Sequence, residues 1–173
     1  PPGTVYDYSN VNFVFAGKII EKITGKSYIN YIKEDIMAPI GGTQTDISGK
    51  TEAEQKPNEV KYYGQGNDAP FVYTIAFPRR DADGGLMTTA SDLIRLVNAI
   101  DGSSTRPDIL NSASLTQLTT PSAAFNGYAC GIGLWSAENI WFNYGSLPGT
   151  RTAFMRNANG MCAVLLLNSR VDP

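Results

Sequence analysis

The chain has 173 residues, 42% of them hydrophobic and 17% charged, with a net charge of −2 and no histidine. That is the length and composition of one globular domain with a sizeable core. It excludes several functions. There is no basic excess to attract nucleic acid, no apolar run long enough for a bilayer-spanning helix, and no histidine for a Ser-His-Asp triad or a His-built metal site within these residues. No cofactor or metal is expected. Two cysteines, Cys130 and Cys162, are too few for a disulfide framework; they either pair across neighbouring strands or stand as small buried hydrophobes.

Pro1-Pro2-Gly3-Thr4 reads as a turn or extended segment. It has neither a methionine nor a signal-peptide pattern, which suggests a cut from something longer. Apolar residues then recur at Phe13, Ala16, Ile20 and Ile23, one face of a helix over roughly 11–24, with Gly25 where a left-handed cap belongs. Ser27 is placed to cap a second helix carrying Tyr28, Ile32 and Ile36, closed by Ala38-Pro39-Ile40-Gly41-Gly42. From Thr43 the sequence is polar and aperiodic, a long surface excursion reaching about Pro78, with Phe71 to Phe77 as a strand or packed loop. Gly84-Gly85 turns the backbone, and Thr89 with Asp92 three residues on resembles a capping box. Leu93, Leu96, Val97 and Ile100 stripe the helix that follows, up to Gly102. Ser112 is placed to cap a shorter helix with Leu115 and Leu118, stopped before Pro121.

The tail changes period. Gly127–Ser136, Ile140–Tyr144, Thr150–Arg156 and Met161–Asn168 read as strands, and Asn159-Gly160 is a hairpin turn signal. The chain is therefore α+β: a mainly helical region over 1–122 containing the loop 43–78, then three or four antiparallel strands over 123–173.

Two stretches bear residues suited to chemistry. Tyr8-Ser9-Asn10 precedes the first helix. A phenol whose pKa is lowered by cations can act as a base, and an amide two residues on can hold a carbonyl. Alone, such a triplet is read more readily as a packed aromatic and a helix cap. Asn143-Tyr144-Gly145-Ser146-Leu147-Pro148-Gly149 is the other, and alone it is an ordinary strand end.

Taken together and in order, these pieces resemble the β-lactamase-like serine hydrolases: class C β-lactamases, D-alanyl-D-alanine carboxypeptidases and related esterases. The resemblance rests on Pro2-Gly3 through Tyr8-Ser9-Asn10, the helix ending in Thr24-Gly25, Pro39-Ile40-Gly41, and Gly84-Gly85-Leu86-Met87-Thr88-Thr89-Ala90-Ser91-Asp92-Leu93. It covers nearly the whole chain and implies a partial β-lactamase/transpeptidase-like fold. It also implies residue roles. Tyr8 matches the base or proton relay and Asn10 the substrate-binding amide. Gly84, Gly85 and Asp92 match structural positions. Gly145 lets substrate lie against the strand edge, and the N–H of Ser146 contributes to the oxyanion hole. Asn143 stands where the family has lysine or histidine. It carries no charge, which argues against anionic substrates held at that position. Arg151, near in sequence, is a candidate for the missing charge.

The family's nucleophile lies in a Ser-x-x-Lys upstream of Tyr-Ser-Asn, and no serine here has a lysine three residues on. The resemblance therefore implies a parent serine hydrolase acting on an amide or ester through an acyl-enzyme, with this segment inactive alone. A ligand-binding module without turnover and a purely structural fragment are the competing readings. The expected partners are a small-molecule or peptide substrate and the missing N-terminal half of the same protein, with no nucleic acid. The uncovered sheet is expected to promote self-association. By resemblance alone, the compartment is periplasmic or extracellular.

Overall fold

The computed structural model describes residues 1, 3–49, 51–64, 73 and 80–170. The first helix, α1, runs Asn10–Thr24 and ends on Gly25 at φ 70°, whose N–H donates to the Glu21 carbonyl. Only a residue free of Cβ strain closes a helix comfortably in that way. The short α2, Tyr28–Tyr31, is capped by Ser27, whose side chain accepts from the Asn30 N–H. It widens into a π turn, Ile32–Met37, and tightens into a 3-10 turn, Ala38–Ile40.

The excursion that follows is more ordered than its composition suggests. A two-residue strand β1, Asp46–Ile47, pairs antiparallel with β2, Leu86–Met87. Glu59 gathers the loop. Its carboxylate accepts from the N–H groups of Gly49 and Lys56 and from the Tyr62 hydroxyl. The expected element over Phe71–Phe77 lies outside the described residues, Tyr73 excepted.

Helix α3, Ala90–Asn98, is capped by the Thr89 hydroxyl, which accepts from the Asp92 N–H. The reciprocal half of a capping box is not made. The Asp92 carboxylate instead accepts from the N–H groups of Thr43 and Gln44, at 2.9 and 2.7 Å, and from Arg95 at 2.8 Å. Its short side chain favours these donors over its own helix cap. Helix α4, Ser112–Thr119, starts one position away from the expected cap: Asn111, not Ser112, accepts from the Ser114 N–H.

The tail forms one antiparallel sheet of five strands in chain order: β3 Tyr128–Ala129, β4 Ile132–Trp135, β5 Ile140–Leu147, β6 Thr150–Arg156 and β7 Cys162–Leu167. The segment Gly127–Ser136, read as one strand, folds into a hairpin around Cys130-Gly131, both at positive φ. The β6–β7 turn is held by Asn157, whose side-chain oxygen accepts from the Asn159 and Met161 N–H groups. Register assigns the faces. Ile132, Leu134 and Trp141 point to the inner face and form the core with Ala129 and Leu118 of α4. Helix α3 packs against β7. Beneath the sheet, Arg106 and Arg156 converge on Asp101, whose side chain is fully buried, and Arg156 also lies over the Trp141 ring.

The other face carries Trp135, Phe142, Tyr144, Met155, Leu165 and Leu167, mostly exposed. Every residue of β7 is apolar, on both faces. A strand patterned this way is suited to burial on both sides. Helix α1 shows the same property. Gly17 is buried so closely against Ala82 and Tyr28 that an added Cβ would sit 2.6 Å from the Ala82 Cβ. Meanwhile Val11, Phe15, Ile19 and Ile23 lie exposed at four-residue intervals. Ile23, on the apolar face read from the sequence, is 79% exposed.

Two outcomes follow. Burial alone would raise the Asp101 carboxyl pKa, but the Ser103 N–H and the Arg106 and Arg156 guanidiniums outweigh it and hold the value below the ordinary carboxylate range. The group's contribution is therefore present in full above its unfolded pKa and lost as pH falls through the lower folded value. Asp101→Asn should cost about 3 kcal/mol at pH 7 by urea denaturation, with the gap to wild type closing below about pH 4. Covering the most exposed of these apolar side chains would gain up to about 1.5–3 kcal/mol each, and proportionately less for those already half-buried. Sedimentation velocity of the 173-residue chain should accordingly show concentration-dependent association, weakened by combining Phe15→Glu with Leu165→Glu. A monodisperse monomer at high concentration would count against it.

Candidate active site

Strand β5 is paired asymmetrically. Along one edge it pairs with β6 from Trp141 to Leu147. Along the other, β4 reaches only Ile140, Trp141 and Phe142. From Asn143 onward, the edge facing away from β6 is not paired to β4. A strand edge of this kind can accept an extended ligand by backbone hydrogen bonding. Gly145 lies within that stretch, and a Cβ there would come 3.0 Å from Thr152 Oγ1. Tyr144, beside it, is 73% exposed on the outer face.

The segment leading into α1 meets the same end of the sheet through aromatic contacts. Tyr8 packs edge-on to Tyr128 of β3, with ring centroids 6.1 Å apart, and Tyr6 packs against both Phe125 and Tyr128. Tyr8 is 57% exposed, and its hydroxyl donates to Asn10 Oδ1 at 3.1 Å. The tyrosine and amide are thus coupled to each other, and the phenol is open to solvent rather than packed away. Burial, and secondarily the neighbouring Tyr8 and Tyr6 phenols, push the Tyr128 phenol up to about 12. Tyr128 is half-buried whereas Tyr8 is exposed, so Tyr8 is the accessible phenol of the pair.

Asn143 joins this neighbourhood from the inner face. Its Nδ2 donates to the Gly131 carbonyl in the β3–β4 turn, against which Phe13 of α1 also packs. The amide that replaces the expected cation is thus engaged in holding the turn. The structure brings Tyr8, Asn10 and Asn143 to the β3–β4 hairpin, with Gly145 and Ser146 continuing along β5. Arg151 does not stand in for a cation at Asn143. It is the cross-strand partner of Ser146, so it lies on the opposite face of the sheet. Ser146 has a second cation: Arg170 Nη1 donates to its Oγ at 3.0 Å.

Tyr128, Gly131 and Arg170 are the positions that sequence reasoning missed. Tyr128, an aromatic in a run of small residues, offered a faint signal; the other two offered none. Among the described residues no cluster of potential ligands suits a metal ion.

The Beta-lactamase family model matches residues 1–173. The chain belongs to the beta-lactamase family. Among curated relatives, it is 26% identical over 169 residues to the "Putative penicillin-binding protein PbpX" of Bacillus subtilis (strain 168), covering 97% of this chain and 41% of that protein. Among solved structures, a D-amino acid amidase from Ochrobactrum anthropi SV3 superposes with a TM-score of 0.75 at 25% identity, over 96% of this chain and 50% of that one. A penicillin-binding protein from Bacillus halodurans superposes with a TM-score of 0.79 at 20% identity, over 99% and 53%, a likeness of fold. The chain spans less than half the length of the curated relatives it matches. The α+β, transpeptidase-like architecture expected from sequence is the one observed.

The cysteines are both free. Cys130 sits in the β3–β4 turn and Cys162 on β7, with β5 and β6 lying between β4 and β7. At about 4.8 Å per strand step, that separation is far outside disulfide reach. Burial raises the Cys162 thiol pKa, whereas Cys130 is exposed. Titration with a chromogenic disulfide should therefore modify Cys130 quickly and Cys162 slowly, two thiols per chain in all. One rapid equivalent only after reduction would contradict this.

Proposed function

We propose that the protein this chain belongs to is a serine hydrolase that opens an amide or ester bond through an acyl-enzyme, with the nucleophile outside these residues. The half-open edge of β5, beside the exposed Tyr8–Asn10 pair, carries this reading. An extended substrate would lie along Asn143–Ser146, with Gly145 allowing close approach. The Ser146 N–H would donate to the carbonyl oxygen as charge develops on it. Tyr8, in its phenolate form, would take the proton of the attacking hydroxyl and become the neutral phenol, with Asn10 orienting the ring oxygen and the substrate. The family match and the names of the similar proteins, penicillin-binding proteins and a D-amino acid amidase, support an amide- or ester-cleaving role.

The uncovered apolar faces of α1 and the sheet are proposed to dock the remainder of the family fold in the parent protein. A periplasmic or extracellular setting is proposed on the same likeness. One observation favours a second reading, a cleft that binds ligand without turnover. Asn143 carries no charge and gives one of its amide N–H groups to Gly131.

Acylation of the full-length gene product separates the two. An enzyme should be labelled covalently by a fluorescent penicillin or an activated ester at a serine upstream of Pro1. Tyr8→Phe should slow acylation about 10²–10⁴-fold, the usual contribution of a positioned base. The 173-residue chain alone should not turn over nitrocefin or p-nitrophenyl acetate. Turnover by it, abolished in Tyr8→Phe, would sink the placement of the nucleophile. No labelling of the full-length protein would favour the binding module.

A further inference from the structure

The β4–β5 turn carries a cavity that the proposed chemistry does not use. It measures about 420 Å³ and lies at the far end of β4 from the Cys130-Gly131 turn. That volume is typical of small-molecule pockets. Both tryptophans of the chain line it, Trp141 from the inner face of the sheet and Trp135 from the outer one. Thr119, at the end of α4, and the loop residues Asn126, Ser136 and Asn139 supply its polar lining. No charged side chain among the described residues lines it.

Much of the hydrogen-bonding capacity of this lining is uncommitted. Trp141 is only 8% exposed, and the Arg156 guanidinium stands 4.7 Å from its ring centroid. A buried tryptophan N–H ordinarily finds an acceptor, yet that of Trp141 has no hydrogen-bond partner among the described residues. The same holds for the side-chain amides of Asn126 and Asn139. Thr119 and Ser136 donate their hydroxyl protons to the carbonyls of Leu115 and Asn126, at 3.0 and 3.2 Å. Each hydroxyl oxygen is therefore left as an acceptor. Trp135 adds a flat apolar surface. It packs against Phe142, with ring centroids 5.0 Å apart, and remains 49% exposed.

We propose that this cavity binds a neutral saccharide, a pyranose with equatorial hydroxyls stacked on Trp135 and hydrogen-bonded by Asn126, Asn139 and the Trp141 N–H. Each sugar hydroxyl both donates and accepts, which matches a lining with spare donors, spare acceptors and no charge. An ionic ligand would find no counter-charge there and would lose hydration without compensation. A pyranose whose hydroxyls are all equatorial presents axial C–H groups on its faces. Those faces are apolar and slightly positive, suited to the negative face of an indole. The site is independent of the hydrolase reading, because none of its residues belongs to the Tyr8–Asn10 pair or to the open edge of β5.

Calorimetric titration of the full-length gene product with cellotriose tests this, with sorbitol and adenosine as controls. Cellotriose should bind with an affinity indifferent to added salt, since no ion pair forms. Sorbitol has the hydroxyls but no ring face and should bind about tenfold more weakly. Trp135→Ala should weaken cellotriose by a similar factor, and Asn126→Ala and Asn139→Gly several-fold each. Glycine is the replacement at 139 because Asn139 holds φ 49° in the turn. All three positions are exposed, and circular dichroism would confirm that each variant folds. No binding of cellotriose up to about 10 mM, equal binding of sorbitol, or tighter binding of adenosine would each overturn the site. So would an affinity unmoved by Trp135→Ala and Asn126→Ala. Acylation is measured separately, so a protein that binds cellotriose and never acylates keeps this site and discards the hydrolase.

Discussion

The unequal pairing of β5 is the constraint on which the rest of the site depends. With β6 along one edge and β4 ending at Phe142 on the other, the strand is rigid where it must hold position and open where it can meet a ligand. What stops β4 is local. Cys130 and Gly131 turn the chain at positive φ, and only four residues of β4 follow before Ser136. Asn143 then ties the first unpaired position of β5 back to that turn through Gly131. The edge is therefore open but anchored at its start. The residues leading into α1 reach the same turn from the other side, through Tyr8 on Tyr128 and Phe13 on Gly131.

Two buried carboxylates attach the helices to this frame. Asp92 reaches from the first turn of α3 to the backbone of Thr43 and Gln44, fixing the end of the α2 segment against α3. Asp101 reaches from just beyond α3 to Arg156 at the end of β6. Each carboxylate is satisfied by several donors, which is what permits burial of a charge. In the resemblance, Asp92 was assigned only to a helix N-terminus. Its larger part is to join segments nearly fifty positions apart.

That distinction marks what could be read from the sequence. Features set by neighbouring residues were legible: the αL stop at Gly25, the Thr89 cap, the bounds of β6 and the Asn157–Gly160 turn. The α+β order was legible too, because it follows from a change in hydrophobic period. Features set by distant partners were not. The β1–β2 pair is two residues long, and its strands are forty apart, so neither shows a period. The π turn after α2 has no sequence signature. At the site, Tyr8, Asn10, Gly145 and Ser146 were named from motif order, but the commitment of Asn143 to Gly131 and the approach of Arg170 to Ser146 depend on contacts across the fold. Arg151 was named as a nearby charge; alternation along β6 and its register with β5 place it on the wrong face to replace one at Asn143.

The same alternation connects the uncovered surfaces with the site. Residues on β5 divide between an inner face that holds the hairpin and an outer face bearing Tyr144 and Ser146. The outer face is also the apolar one, continuing through Met155 and Leu165. Whatever covers it must stop short of Arg151, or bring its own polar groups there, because that exposed guanidinium cannot be sealed beneath apolar side chains without a counter-charge. Arg151 lies on the same face as Ser146 and Leu167, so its position bounds the covering element at the hairpin end of β5.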